Sequence, residues 1–159
     1  MPWLIGLAIL FLAVEALAMK INVEGDALIQ TWVEQSAAFY GVDPNLVRAI
    51  IKKESSWNPR GTNPSDPSYG LGGITPIFAQ DYGIVTNYRQ PTKEEIKRIY
   101  DPETNIDMIA WAFYRPGHDY TLEELIQMYN EGEGAYLAGY RAPDYLAKVL
   151  EFYHEYSAR

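Results

Sequence analysis

Glu54 falls where an amphipathic helix calls for an apolar side chain. Asp43-Pro44 reads as a helix start, with Asp43 as N-cap and Pro44 at the first helical position. Leu46, Val47, Ile50 and Ile51 then recur at the spacing of one buried stripe. Glu54 lies four residues after Ile50 and three after Ile51, so it continues that stripe while Lys52 and Lys53 point elsewhere. A carboxyl held against apolar surface is desolvated, which penalises its charged form and raises its pKa. Such a group keeps a proton near neutral pH, as a general acid must. Periodicity leaves a second reading open, a helix-end Glu that bends out to water or pairs with a lysine.

The elements that must position this carboxyl are helices. Residues 27–40 read as a helix ending at Gly41. The helix bearing Glu54 must stop near Trp57, ahead of Asn58-Pro59. Residues 61–73 are rich in Gly, Pro, Ser and Asn and read as a loop of tight turns. Thr75-Pro76 opens a short helix toward Tyr82, and Asp101-Pro102 opens another, with Ile106, Ile109, Ala110 and Phe113 on one face. Thr92 with Glu95 and Thr121 with Glu124 have capping-box spacing. The helix from Thr121 ends near Tyr129-Asn130, and Gly132 and Gly134 read as a loop. Tyr145, Val149, Phe152, Tyr153 and Tyr156 mark a last amphipathic helix. No alternating run is long enough for a confident strand, so the pattern predicts a compact all-α domain of six or seven short helices.

Composition narrows the function classes. A chain of 159 residues, 48% apolar and with 13 Tyr, suits one domain with a real core. Its net charge of -8 and lack of a Lys/Arg run argue against nucleic-acid binding. The absence of Cys excludes disulfides, thiolate metal sites and a Cys nucleophile. His118 and His154 lack ligand spacing, so neither a metal site nor a Ser-His-Asp arrangement is expected, and each reads as a surface or helix-end residue. Residues 1–20 differ from the rest, since Trp3 to Val14 has the length of a signal-peptide apolar region and Ala16-Leu17-Ala18 the small-x-small form of a cleavage site. Glu15 and the lack of a preceding Lys or Arg run against that pattern. Three readings stand: a cleaved export signal, an uncleaved membrane anchor, or a helix packed on the domain or a partner.

Separated segments resemble one family. Glu54-Ser55-Ser56-Trp57-Asn58-Pro59 resembles the Glu-Ser motif of soluble-type (SLT) lytic transglycosylases, whose catalytic domain is lysozyme-like. Tyr69-Gly70-Leu71-Gly72-Gly73-Ile74-Thr75-Pro76 is similar to their Gly-Leu-Met-Gln-Ile-x-Pro loop. Tyr100 to Ile106 is similar to the segment opening their next core helix, Tyr129-Asn130-Glu131-Gly132 resembles Tyr-Asn-Ala-Gly, and Tyr145 with Val149 matches the closing helix. The Ser that orients the acid in the family falls near Ser65, in a slightly longer loop. Gly72 and Gly73 replace the usual Met and Gln, which removes a polar cleft side chain and is expected to loosen the loop. Glu131 stands where the family has a small Ala.

The resemblance implies a peptidoglycan lytic transglycosylase domain over residues 21–159, following a signal peptide or anchor at 1–20. Its substrate would be glycan strands, cut at the β-1,4 bond between N-acetylmuramic acid and N-acetylglucosamine, with no cofactor and no metal. Glu54 would be the one catalytic acid. Ser55, Ser65, Tyr69, Gly70, Leu71, Gly73, Ile74, Tyr129 and Asn130 would bind substrate, and Tyr136 and Tyr140 are further candidates for stacking on sugars. Of the other carboxylates, Asp101 reads as an N-cap, Asp66 as turn chemistry and Asp81 as a solvated helix end. The implied setting is the periplasm or the periplasmic face of the inner membrane, with a secretion apparatus or a phage virion reached through residues 1–20. The alternatives are a lysozyme-type hydrolase of the same bond, an inactive glycan-binding or assembly protein, and a small membrane-anchored structural subunit.

Overall fold

The computed structural model describes residues 27–159. The chain divides into two compact units, Met1–Thr31 and Trp32–Arg159. Of the first, only residues 27–31 are described; they are helical, and Thr31 Oγ1 donates to the Ala27 carbonyl at 3.0 Å. The export-signal or anchor reading of residues 1–20 lies outside the described residues. No helix among the described residues is long and apolar enough to cross a membrane.

Eight helices occur among the described residues. They are α1 (residues 27–40), α2 (Pro44–Ser55), α3 (Pro76–Tyr82), α4 (Lys93–Tyr100), α5 (Pro102–Phe113), α6 (Leu122–Glu131), α7 (Glu133–Leu137) and α8 (Pro143–Ser157). A single two-stranded hairpin, β1 (Thr62–Asn63) with antiparallel β2 (Ser68–Tyr69), interrupts them between α2 and α3. The all-α class expected from the sequence is the observed one. The helix count exceeds the expected six or seven because α7 forms where Gly132 and Gly134 predicted a loop. Tyr136 on α7 is buried, and the Arg141 guanidinium lies 3.9 Å from the centre of its ring and donates to the Tyr136 carbonyl at 2.7 Å. That packing holds a turn of helix which Gly134 alone disfavours.

Local chemistry sets the helix starts. Asp43 accepts from the Asn45 N–H at 2.8 Å and Asp101 from the Thr104 N–H at 3.0 Å, each just ahead of a Pro at the start of the helix. Thr92 with Glu95 and Thr121 with Glu124 form complete capping boxes. The core lies around α5, whose Asn105, Ile106, Met108, Ile109, Ala110, Ala112 and Phe113 are all buried. A helix apolar nearly all round belongs in the interior. α2 packs on α5 and α8, burying Leu46, Val47, Ala49, Ile50 and Ile51; each fully buried Ile or Leu stabilises by about 2 kcal/mol. Long-range hydrogen bonds fasten α8, among them those from Tyr153 Oη to Asp43 Oδ2 at 2.8 Å and from Trp57 Nε1 to Tyr156 Oη at 2.9 Å. These packings place the end of α2, the 70–74 loop, α6 and α8 around one carboxyl.

Candidate active site

Glu54 stands one residue before the end of α2, on the stripe that buries Ile50 and Ile51, and its side chain is half-buried. Tyr145 Oη, from α8, donates to Glu54 Oε1 at 2.6 Å. Burial raises the Glu54 pKa above the usual carboxylate value, while the Tyr145 hydrogen bond and the nearby Lys53 charge pull it part of the way back. The Lys53 ammonium lies 4.7 Å from the centre of the Tyr145 ring. Burial, and next the Glu54 charge, push the Tyr145 phenol far up, so it remains a donor. Oε1 is thereby taken, and Oε2 faces the loop at Gly73.

That loop is tightly pinned. Tyr69 and Ile74 exchange backbone hydrogen bonds at 3.0 Å in each direction. Asn105, fully buried on α5, accepts from the Gly72 N–H at 2.7 Å and donates to the carbonyls of Tyr69 at 3.0 Å and Ile99 at 2.7 Å. Tyr129 Oη, from α6, donates to the Gly72 carbonyl at 2.7 Å, and its ring stacks on Phe113. Gly73 has φ +59°, and a Cβ there would lie 2.8 Å from Glu54 Oε2. A Cβ at Gly72 would lie 2.5 Å from Ile109 Cγ1 and 2.8 Å from Tyr129 Oη. The two glycines therefore do not loosen the loop, contrary to the expectation from Gly flexibility. Its backbone is packed against Ile109, Tyr129 and Glu54 so closely that side chains have no room.

The other residues singled out from sequence divide by position. Gly70 and Leu71 are buried in the same loop, and Ile74 is a core side chain. The Tyr69 ring packs edge-on against Tyr100. Ser55 Oγ bonds back to the Ile51 carbonyl at 3.2 Å, a local helix contact. Ser65 lies exposed in the β1–β2 turn, where its N–H donates to Asn63 Oδ1 at 3.1 Å. Asn130 is exposed and donates to Glu131 Oε1 at 2.9 Å. Tyr140 is exposed and Tyr136 buried. Asp101 serves as the N-cap of α5, and Asp66 and Asp81 are exposed. No group of His, Asp and Glu suited to a metal ion occurs among the described residues.

Two residues of this site were not legible as such. Tyr145 was visible as an apolar position of the last helix and as a match to the closing helix of the resembled family, with no role for its hydroxyl. Asn105 carried a usable signal, a polar residue between buried positions of a helix, which is the same signal that marks Glu54.

Residues 31–145 match the family model described as transglycosylase SLT domain. The chain is 26% identical over 143 residues to membrane-bound lytic murein transglycosylase C of Mannheimia succiniciproducens, a match covering 83% of this chain and 39% of that protein. It is 34% identical over 76 residues to the Yersinia pestis protein of the same name, covering 47% of this chain and 20% of the relative. The chain thus spans well under half the length of these relatives. Its fold is similar to that of an inactive mutant of lytic transglycosylase Slt from Pseudomonas aeruginosa, with a TM-score of 0.52, 17% identity, and coverage of 78% of this chain and 21% of that one.

Proposed function

The chain belongs to the transglycosylase SLT domain family, and from that membership we propose that it is a peptidoglycan lytic transglycosylase with Glu54 as its single catalytic acid. The observation that carries this reading is the Glu54 carboxyl itself: desolvated, held at Oε1 by Tyr145, with Oε2 turned to the Gly73 backbone and no ion pair to it among the described residues. A neutral carboxyl in that setting carries its proton on Oε2.

Protonated Glu54 donates to the glycosidic oxygen as the bond from C1 of N-acetylmuramic acid breaks. The substrate's N-acetyl group stabilises the developing cation, a role that some glycosidases take from the substrate rather than from a second carboxylate. Ionised Glu54 then removes the proton from the C6 hydroxyl, and O6 bonds to C1 to close a 1,6-anhydro ring. No water is consumed. Tyr145 stabilises the ionised half of this cycle by donating to Oε1. The Tyr129 hydroxyl acts through the Gly72 carbonyl, which it holds in place one residue before Gly73.

The domain carrying this chemistry is residues 21–159, and residues 1–20 act as an export signal or anchor. The relatives named as membrane-bound murein transglycosylases support placement at the periplasmic wall. There the enzyme opens the wall locally for a secretion apparatus, with a phage virion as the other setting of the same activity. Incubating the protein with purified sacculi tests the activity. Loss of turbidity with release of soluble muropeptides is expected, whereas binding to sacculi without release would identify a glycan-binding protein instead.

A further inference from the structure

A second cavity, of about 480 Å³, shares no lining residue with the contacts of Glu54. Trp32 and Phe39 reach it from α1, Tyr82 from the end of α3, Arg98 from α4, and Glu103 and Asp107 from α5. Its volume is in the range of small-molecule sites. Asp107 is fixed by three neutral hydroxyls: Ser36 Oγ donates to Oδ1 at 3.0 Å, Tyr40 Oη to Oδ2 at 3.0 Å, and Tyr82 Oη also to Oδ2. A carboxylate offers about four acceptor positions. Three donors leave one vacant, on Oδ1, and neutral donors leave the negative charge uncompensated. The side chains of Glu103 and Arg98 make no hydrogen bond or ion pair among the described residues. Phe39 is 79% exposed, although apolar rings of that size are normally buried.

The cavity therefore offers two carboxylates beside aromatic faces, which suit an ammonium. It also offers one unpaired guanidinium, which suits a carboxylate in bidentate geometry. We propose that it binds an amino-acid head group, an ammonium and a carboxylate on one carbon, with the ammonium at Asp107 and Glu103 and the carboxylate on Arg98. A free amino acid and the free end of a diamino-acid side chain in a peptide both present this chemistry. The proposal does not depend on glycan cleavage.

Calorimetric titration of the full chain tests it with three probes: free diaminopimelic acid, the same compound acetylated on both amines, and a tripeptide in which one of its head groups is free. Binding of the free acid in the millimolar range is expected, with no binding of the acetylated form. R98Q and E103Q, both at exposed positions, should each weaken binding about tenfold while melting as the wild type does. Binding of the tripeptide assigns the site to peptide ends, and its exclusion assigns the site to free amino acids. Equal binding of the acetylated compound, no binding of the free acid, or indifference to both R98Q and E103Q would overturn the proposal.

Discussion

Tyr145 donates its hydroxyl to Oε1 of Glu54 at 2.6 Å across a sequence separation of 91 residues. This bond joins the last helix to the end of α2 and divides the carboxyl into a held oxygen and a free one. It also opposes the effect of burial on Glu54, because a donor to the carboxylate favours the ionised form.

Tyr145→Phe removes that donor while keeping the ring. The Glu54 pKa should rise further, so the alkaline limb of the pH-rate profile moves to higher pH and the rate falls. Stability should drop by about 1 kcal/mol. A profile whose alkaline limb stays in place would separate Tyr145 from the chemistry.

The raised Glu54 pKa has a consequence for stability with a definite sign. The folded protein binds this proton more tightly than the unfolded chain, so the contribution of Glu54 is most favourable below the unfolded pKa and declines as pH rises through the folded one. Glu54→Gln removes the cost of ionising a buried group. Melting curves should show the Gln variant gaining on the wild type as pH rises from the ordinary Glu range, with the gap levelling off above the folded pKa. A gap independent of pH would mean that position 54 titrates like a solvated acid.

Gly73→Ala places a methyl group 2.8 Å from Glu54 Oε2 at a residue with φ +59°. Stability should fall by about 1–2 kcal/mol, and activity should fall far more because the free oxygen is displaced. Gly83→Ala supplies the comparison: φ there is +96° and nothing lies within 4 Å. It should show a similar loss of stability with activity retained. Equal activity of the two variants would remove Gly73 from the site.

Asn105→Ala deletes one acceptor and two donor contacts that fix the 70–74 loop from inside the core. Buried partners left unsatisfied make a loss of about 3 kcal/mol the expected result in chemical denaturation, with activity reduced through the displaced loop. A change within about 0.5 kcal/mol would mean that the loop holds without it.

What the sequence disclosed follows from how local each interaction is. Asp43, Thr92, Asp101 and Thr121 act on N–H groups two or three residues away, so their caps could be read directly. Glu54 was legible because it breaks a helical pattern that its own neighbours define. The Tyr145 partnership was not, since nothing within α8 records that its hydroxyl meets α2. The packing of Gly72 against Ile109 and Tyr129 was hidden for the same reason, and Gly flexibility suggested the opposite. The turn after α2 shows a further limit: Ser56 and Trp57 both adopt positive φ, at 50° and 68°, where sequence offered no Gly or Asn. The hydrogen bond from Trp57 Nε1 to Tyr156 Oη, 99 residues away, helps to fix that turn.

The most direct test of catalysis by Glu54 is mass spectrometry of the products released from purified sacculi by the full chain and by its Glu54→Gln variant. The expected result is 1,6-anhydromuramoyl ends from the wild type and no release by the variant, with both proteins folded. Wild-type turnover by the Gln variant would contradict a catalytic role for Glu54, and hydrated, reducible muramic acid ends would make the protein a hydrolase.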